Sequence, residues 1–181
     1  MLLRLFLSAI VACVWIVENA MAADPENTIY LELEHGRVVI ELRPDLAPNH
    51  VNRIKELARE EFYDGVVFHR VIEGFMAQTG DPTGTGTGGS DKPDLDAEFS
   101  DEPHVRGTLS MARTNDPNSA NSQFFIVFEG ASHLNGQYTV WGQVTEGMEH
   151  VDKIKRGGGR NGMVDDPDKI VTMLVAADVD E

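Results

Sequence analysis

Phe68-His69-Arg70-Val71-Ile72-Glu73-Gly74-Phe75-Met76-Ala77-Gln78-Thr79-Gly80-Asp81 is the stretch of this chain that decides how it folds. Two short runs rich in β-branched and aromatic residues, Val66 to Ile72 and Phe75 to Thr79, lie on either side of Glu73-Gly74. That spacing predicts two strands joined by a tight turn. Alternation along the first strand places Arg70 on the face of Phe68 and Ile72, opposite His69 and Val71. A cation aligned with apolar neighbours is unusual in a purely structural strand. The alternative is an arginine at a sheet rim, paired with one of the chain's many acids.

The same pattern continues outward. Thr28 to Pro44 reads as two strands around a turn at His35-Gly36, with Ile29, Leu31 and Leu33 alternating before it and Val38, Ile40 and Leu42 after it. Pro48 suits the first turn of a helix, and Val51, Ile54, Leu57 and Ala58 give that helix one apolar face, ending near Tyr63-Asp64-Gly65. Further strands are predicted at Thr108 to Ala112, Gln123 to Phe128, Tyr138 to Val144 and Ile170 to Val179. A second short helix is predicted around Glu149 to Lys155, closed by Gly157-Gly158-Gly159. Many short strands with two helices predict a mainly β protein, an antiparallel sheet closed into a barrel with helices over its ends. Asp91 to Glu102, with six acids and one lysine, reads as a solvated loop.

The chain has 181 residues, 41% of them hydrophobic, and a formal net charge of -15. That length suits one domain with a real core. So acidic a surface repels phosphate backbones and anionic lipids, which argues against nucleic-acid and membrane-surface partners. The first residues differ: Arg4 is followed by an almost wholly apolar run, Leu5 to Val17, and then by Ala20-Met21-Ala22. These are the parts of a secretory signal. The expected division is a signal peptide over residues 1–22 and one domain over 23–181. An uncleaved anchor is the alternative, but the run is short for a bilayer span. Ile10-Val11-Ala12-Cys13 faintly resembles a lipobox, yet apolar residues follow the cysteine where a polar mature start belongs. With its only cysteine inside the signal, the mature chain would have no disulfide or thiol chemistry.

Other motifs fail on context. Gly84-x-Gly86-x-x-Gly89 matches a dinucleotide fingerprint but is followed by Ser90-Asp91-Lys92-Pro93 rather than a helix. A tight loop that lets a ligand approach the backbone explains these glycines better. The six histidines lack the paired spacing of a zinc site, and no serine sits in a nucleophile elbow. What remains is binding, or a reaction that needs no nucleophile, metal or cofactor.

Taken together, the block Phe68 to Asp81, the turn Gly86 to Gly89, Gly107-Thr108-Leu109-Ser110-Met111-Ala112 and Asn121-Ser122-Gln123-Phe124-Phe125-Ile126 resemble the cyclophilins, and they occur in family order. The resemblance covers roughly Thr28 to Val179. It implies a closed eight-stranded antiparallel barrel with a helix at each end, a groove on its outside, and peptidyl-prolyl cis/trans isomerase activity without a cofactor. By matching position it implies that Arg70 is catalytic. Phe75, Met76, Phe125 and Leu134 would line the proline pocket, and Gln78 would hydrogen-bond substrate and hold Arg70. Ala112 and Gln123 would border the groove, Arg113 would meet the peptide through its backbone, and Gly86 would sit beside the neighbouring subsite.

The chain departs from the pattern at two site positions. His133 lies where many drug-sensitive members have a tryptophan, and Tyr138 lies where they have a histidine. The insert Arg113 to Ala120 is similar to that of bacterial members. With the signal, and without a C-terminal retention tetrapeptide, this predicts a periplasmic monomer that acts on proline-containing polypeptides of other exported proteins. A secreted eukaryotic product is the alternative. Two other functions compete: a binding module whose groove holds proline segments without catalysis, and a structural barrel with no groove. Binding alone does not require Arg70, and a plain barrel explains neither Arg70 nor Gln78.

Overall fold

The computed structural model describes residues 24–179. The signal read at residues 1–22 therefore lies outside the described residues. Eight strands run in the order β1 Thr28–Leu33, β2 Gly36–Leu42, β3 Arg70–Ile72, β4 Met76–Thr79, β5 Thr108–Met111, β6 Phe124–Val127, β7 Val140–Glu146 and β8 Ile170–Val175. Helix α1, Pro48–Arg59, connects β2 to β3, and the single turn α2, Met148–Val151, follows β7. Among the described residues no helix is long and apolar enough to cross a membrane.

All eight strands join one sheet, ordered β3-β4-β6-β5-β7-β2-β1-β8, and every ladder is antiparallel. Register shifts at Glu32/Leu33, Val39/Ile40 and Leu109/Ser110 add local twist and curl the sheet. The predicted closed barrel needs correcting: β3 and β8 form no ladder, and the sheet is a curled half-barrel. The free edge of β3 is occupied instead by the loop after α2. The N–H of Val71 donates to Gly162 O, and the N–H of Gly157 donates to Val71 O. Only the segment before β3 reaches the far side, through the N–H of Gly65 to Ile170 O and the N–H of Phe68 to Asp168 O.

The interior is filled by alternate residues of the strands and the apolar face of α1. Trp141, Tyr63, Phe68 and Phe124 are fully buried there. The rings of Phe124 and Trp141 meet edge to face at 5.3 Å. Helix α1 ends earlier than its apolar spacing predicted. Glu61 adopts the left-handed conformation (φ 56), Phe62 N donates to Leu57 O, and Glu61 N donates to Ala58 O. This is a Schellman closure, and it fixes the helix end at Arg59.

At its start α1 has no cap of its own, because the preceding residue is Ala47. Glu98 supplies one: its carboxylate accepts from the N–H groups of Asn49 and His50 and from His50 Nδ1 at 2.7 Å. Lys92 bonds Glu56 and Glu60 on the same helix. The segment Asp91 to Glu102 is thus pinned to α1 at two points, not simply a solvated loop. Residue-level spacing could not show that partnership because the partners lie 32 to 49 residues apart in sequence.

Candidate active site

Strand β6 is buried on both faces. Phe124 and Ile126 point into the main core, whereas Phe125 and Val127 join a separate outer cluster with Met76, Ala131 and Leu134. Strand β4 divides in the same way, Ala77 inward and Met76 outward. This second cluster forms the floor of a groove of about 630 Å³ on the outside of the sheet. Phe75 and Tyr138 complete the aromatic wall. The Phe125 ring meets Tyr138 edge to face at 5.8 Å, and Phe75 lies 5.4 Å from His133.

Arg70 stands over this apolar floor. Its cross-strand partner on β4 is Gln78. Arg70 Nη1 donates to Gln78 Oε1 at 3.0 Å, and Arg70 Nε donates to the backbone oxygen of Asn161 at 2.9 Å. Among the described residues Nη2 has no partner, and no carboxylate pairs with this arginine. The rim-arginine alternative required such an acid. Alternation correctly set Arg70 with Ile72 and against Val71, but Phe68 belongs to the main core, not to Arg70's face, and His69, expected opposite Arg70, lines the same groove. The backbone is not regular strand at Phe68 and His69, so the two-residue period breaks there.

The polar network extends past Arg70. Gln78 Nε2 donates to Gln123 Oε1 at 2.9 Å, and Gln123 Nε2 donates to the carbonyls of Gly86 and Gly88. Gln123 opens onto a smaller adjoining cavity of about 450 Å³, which shares Gln78, Gly86, Ala112 and Arg113 with the groove. Arg113 lies over the Tyr138 ring at 4.4 Å and donates to Gln137 O, so its guanidinium braces the wall. Every residue expected at the site therefore falls on one of two contiguous cavities.

The glycine-rich turn is a loop, as its context predicted, and its organiser is Asp81. This fully buried carboxylate accepts from the N–H groups of Thr83, Thr85, Gly86 and Gly88 and from the Thr83 hydroxyl. Burial pushes its pKa up, but those hydrogen bonds outweigh it and hold the carboxyl well below the usual range. Gly86, at φ 86, carries no side chain over the groove.

Sequence reading missed several contributors. Asn161 and Met163 come from the loop after α2, which was read only as a helix end, yet they form one wall. His69 and Thr85 also line the groove. Behind Phe125 lies His104, its ring stacked at 6.3 Å, bonded to Ser110 Oγ through Nε2 and close to Asn135 Oδ1 through Nδ1. A single polar residue in an otherwise apolar strand, Ser110 between Leu109 and Met111, was the available signal.

An outward-facing apolar pocket beside a guanidinium is the lining of a groove that can take an apolar group with a polar atom to meet the cation. Comparison with known proteins gives the family. Residues 28–175 match the cyclophilin type peptidyl-prolyl cis-trans isomerase family. A probable peptidyl-prolyl cis-trans isomerase of Brucella suis is 59% identical over 174 residues, which cover 90% of this chain and 89% of that one. Peptidyl-prolyl cis-trans isomerase B of Bacillus subtilis is 46% identical over 134 residues, covering 72% of this chain and 92% of the relative. The crystal structure of cyclophilin AquaCyp293 from Hirschia baltica superposes with a TM-score of 0.79 at 31% identity, covering 87% of this chain and 77% of that one. The chain belongs to the cyclophilin type peptidyl-prolyl cis-trans isomerases. Its activity is peptidyl-prolyl cis–trans isomerisation.

Proposed function

We propose that the groove turns X-Pro bonds of exported polypeptides by a non-covalent route in which Arg70 stabilises the twisted peptide. The barrier to rotation is about 18–20 kcal/mol, because the amide carries partial double-bond character. In the twisted transition state that resonance is lost and the proline nitrogen regains a lone pair. The open Nη2 of Arg70 donates to that nitrogen, a hydrogen bond the planar ground state does not offer. The proline ring rests on Phe75, Met76, Phe125 and Leu134 while the preceding carbonyl swings, and the apolar floor keeps competing water from the guanidinium. A hundred-thousand-fold acceleration needs only about 7 kcal/mol, within reach of anchoring plus one charged hydrogen bond.

The observation that carries this reading is Arg70, fastened through Nε and Nη1 beside an apolar pocket, with no partner for Nη2 among the described residues. A Cryptosporidium parvum cyclophilin type peptidyl-prolyl cis-trans isomerase crystallised in the presence of the dipeptide Ala-Pro supports a prolyl peptide as the occupant; it has a TM-score of 0.76 at 29% identity, covering 82% of this chain and 98% of that one. Gly86, Ala112, Arg113 and Gln123 then border the residues flanking the proline, with His133 and Tyr138 at the opposite wall. The test is a protease-coupled prolyl isomerase assay of the wild type beside Arg70→Ala.

The enzyme's place follows from Arg4, the apolar run Leu5 to Val17 and Ala20-Met21-Ala22. Residues 1–22 act as a signal peptide, and the domain over 23–181 works as a monomer in the periplasm on proteins that fold there. Protein from the native host should begin within a residue or two of Ala23. Met1 on abundant cytoplasmic protein would sink the assignment.

A further inference from the structure

The groove differs in charge from the rest of the molecule. The chain has 30 acidic residues and a formal net charge of -15. No Asp or Glu is among the residues that line the groove. Among the described residues Arg37, Arg43, Arg53, Arg59, Arg106 and Arg156 each lie within ion-pair distance of a carboxylate. The arginines without one are Arg70 and Arg113, which line the groove, and Arg160, which stands exposed beside the wall residue Asn161. The unpaired guanidinium groups thus gather at one place on an otherwise acidic protein.

The acids nearest the groove are already engaged. Glu73 pairs with Arg156. Asp81 is buried within the glycine-rich loop and accepts from its backbone N–H groups. Asp94 lies in the adjoining cavity and accepts from Asn121 Nδ2. Arg113 is held by neutral groups: Nη1 donates to Thr114 O at 2.8 Å, Nε and Nη2 donate to Gln137 O, and the guanidinium lies over the Tyr138 ring. Carbonyl oxygens and a ring orient the guanidinium without neutralising it. These bonds use three of the five N–H donors of an arginine, and the rest are free to meet a ligand. Arg113 also stands where the groove joins the second cavity, beside the positions that flank a bound proline.

We infer that this groove selects X-Pro segments carrying an Asp or Glu close to the proline, with the Arg113 guanidinium as the specificity-determining group and Arg160 adding to its field. The inference rests on the prolyl-peptide reading above. It differs from the role of Arg70, whose guanidinium meets the rotating bond itself. A substrate carboxylate accepts charge-assisted hydrogen bonds from the donors that Arg113 has left. The net charge of -15 repels an acidic peptide at long range, so a preference for one can come only from contacts within the groove.

The test measures kcat/KM by NMR exchange on blocked hexapeptides with Ala-Pro at the centre and Glu, Gln or Lys at each flanking position in turn. At low ionic strength the wild type should prefer Glu over Lys by about fivefold to tenfold at one flanking position, attraction for one charge adding to repulsion of the other. The ratio should fall towards one in about 0.5 M salt. Arg113→Gln should lose most of the Glu-to-Lys ratio, Arg113→Lys should keep part of it, and Arg160→Gln should lower it by about twofold. Thermal unfolding checks that each variant is folded, and the salt dependence of the wild type tests the inference without any variant. An active wild type with no preference for Glu, or with a preference for Lys, overturns the inference alone. So does a preference that survives high salt, or one left unchanged in folded Arg113→Gln. A wild type inactive on every peptide, the neutral Gln series included, overturns the prolyl reading and the inference together.

Discussion

Arg70 and Gln78 face each other across the β3–β4 ladder, and the guanidinium Nη1 donates to the Gln78 side-chain oxygen at 3.0 Å. The pairing fixes one end of the planar guanidinium, and Asn161 O fixes another. Gln78→Leu therefore leaves the charge in place but releases its orientation. A loss of about tenfold in kcat is expected, with KM changed much less, because orientation matters most where the hydrogen bond forms only in the transition state. Equal changes in kcat and KM would show that Gln78 acts through ground-state binding instead.

Arg70→Ala removes the donor itself. The barrier should rise by roughly 2–4 kcal/mol with the fold unchanged. Arg70→Lys should recover little, since the donors of a compact ammonium all lie on one nitrogen and cannot reach Gln78, Asn161 and the substrate as the spread nitrogens of the guanidinium do. Turnover near wild type in a folded Arg70→Ala protein would remove Arg70 from the mechanism.

Phe125 and Phe124 are neighbours on one strand with opposite duties. Phe124→Ala opens a cavity in the main core and should cost about 3–5 kcal/mol of stability. Phe125, 5% exposed at the groove floor, should cost less stability but weaken peptide binding and turnover together, because the pocket holds the ring in ground and transition states alike. Unfolding and kinetics on both variants separate the two. Equal destabilisation with unaltered kinetic constants in Phe125→Ala would make it a core residue.

The stability of the domain should depend on pH in two windows. Burial pushes the pKa values of His50, His69 and His104 below 6.5, despite the opposing help of Glu98, Asp81 and Asn135. Below pH 6.5 the unfolded chain takes up protons on these rings before the folded one does, so their contribution is whole above 6.5 and declines as pH falls through the window beneath it. Asp81 and Glu98 are held low by hydrogen bonds against burial, so their contribution is present above the ordinary carboxylate range and is lost as pH falls further. The melting temperature should be level above pH 7, slip below 6.5 and fall again below about 4, by roughly 2–4 °C for each kcal/mol lost. A flat profile between pH 7 and 5 would contradict the histidine part.

Much of this was legible in short stretches. The alternation in Ile29, Leu31, Leu33 and in Val38, Ile40, Leu42 fixed the first hairpin, because a half-buried strand shows its period directly. The groove floor was legible only through resemblance, since Phe125 and Phe124 look alike in isolation and both faces of β6 are apolar. Long-range partners left no local trace. Glu98 capping α1, Asn161 holding Arg70 and the loop edge that replaces a β3–β8 ladder each join residues far apart in sequence. Hydrophobic periodicity carries no information about such contacts, and the closed barrel was expected from the many short strands and from the resemblance instead.

His133 is expected to set how this groove answers cyclosporin, the cyclic peptide that inhibits many cyclophilins. Sensitive members, as the resemblance implies, present a tryptophan there, with a flat face and an indole N–H. In this chain the position carries an exposed histidine in the middle of the turn Ser132–Leu134, its ring 5.4 Å from Phe75. A histidine ring buries less apolar area and places its N–H differently. At about 25 cal/mol per Å², losing a few tens of Å² of contact costs roughly 1 kcal/mol. A missing hydrogen bond adds about 0.5–1.5 kcal/mol. Together these weaken the drug by about tenfold to a hundredfold. Catalysis should be affected far less, because a short prolyl peptide need not reach that wall of the groove. The wild type is therefore expected to be active yet poorly inhibited, and His133→Trp to gain sensitivity with little change in turnover. Inhibitor titration of both proteins decides it: tight inhibition of the wild type, or no gain in the variant, would place the determinant elsewhere in the groove.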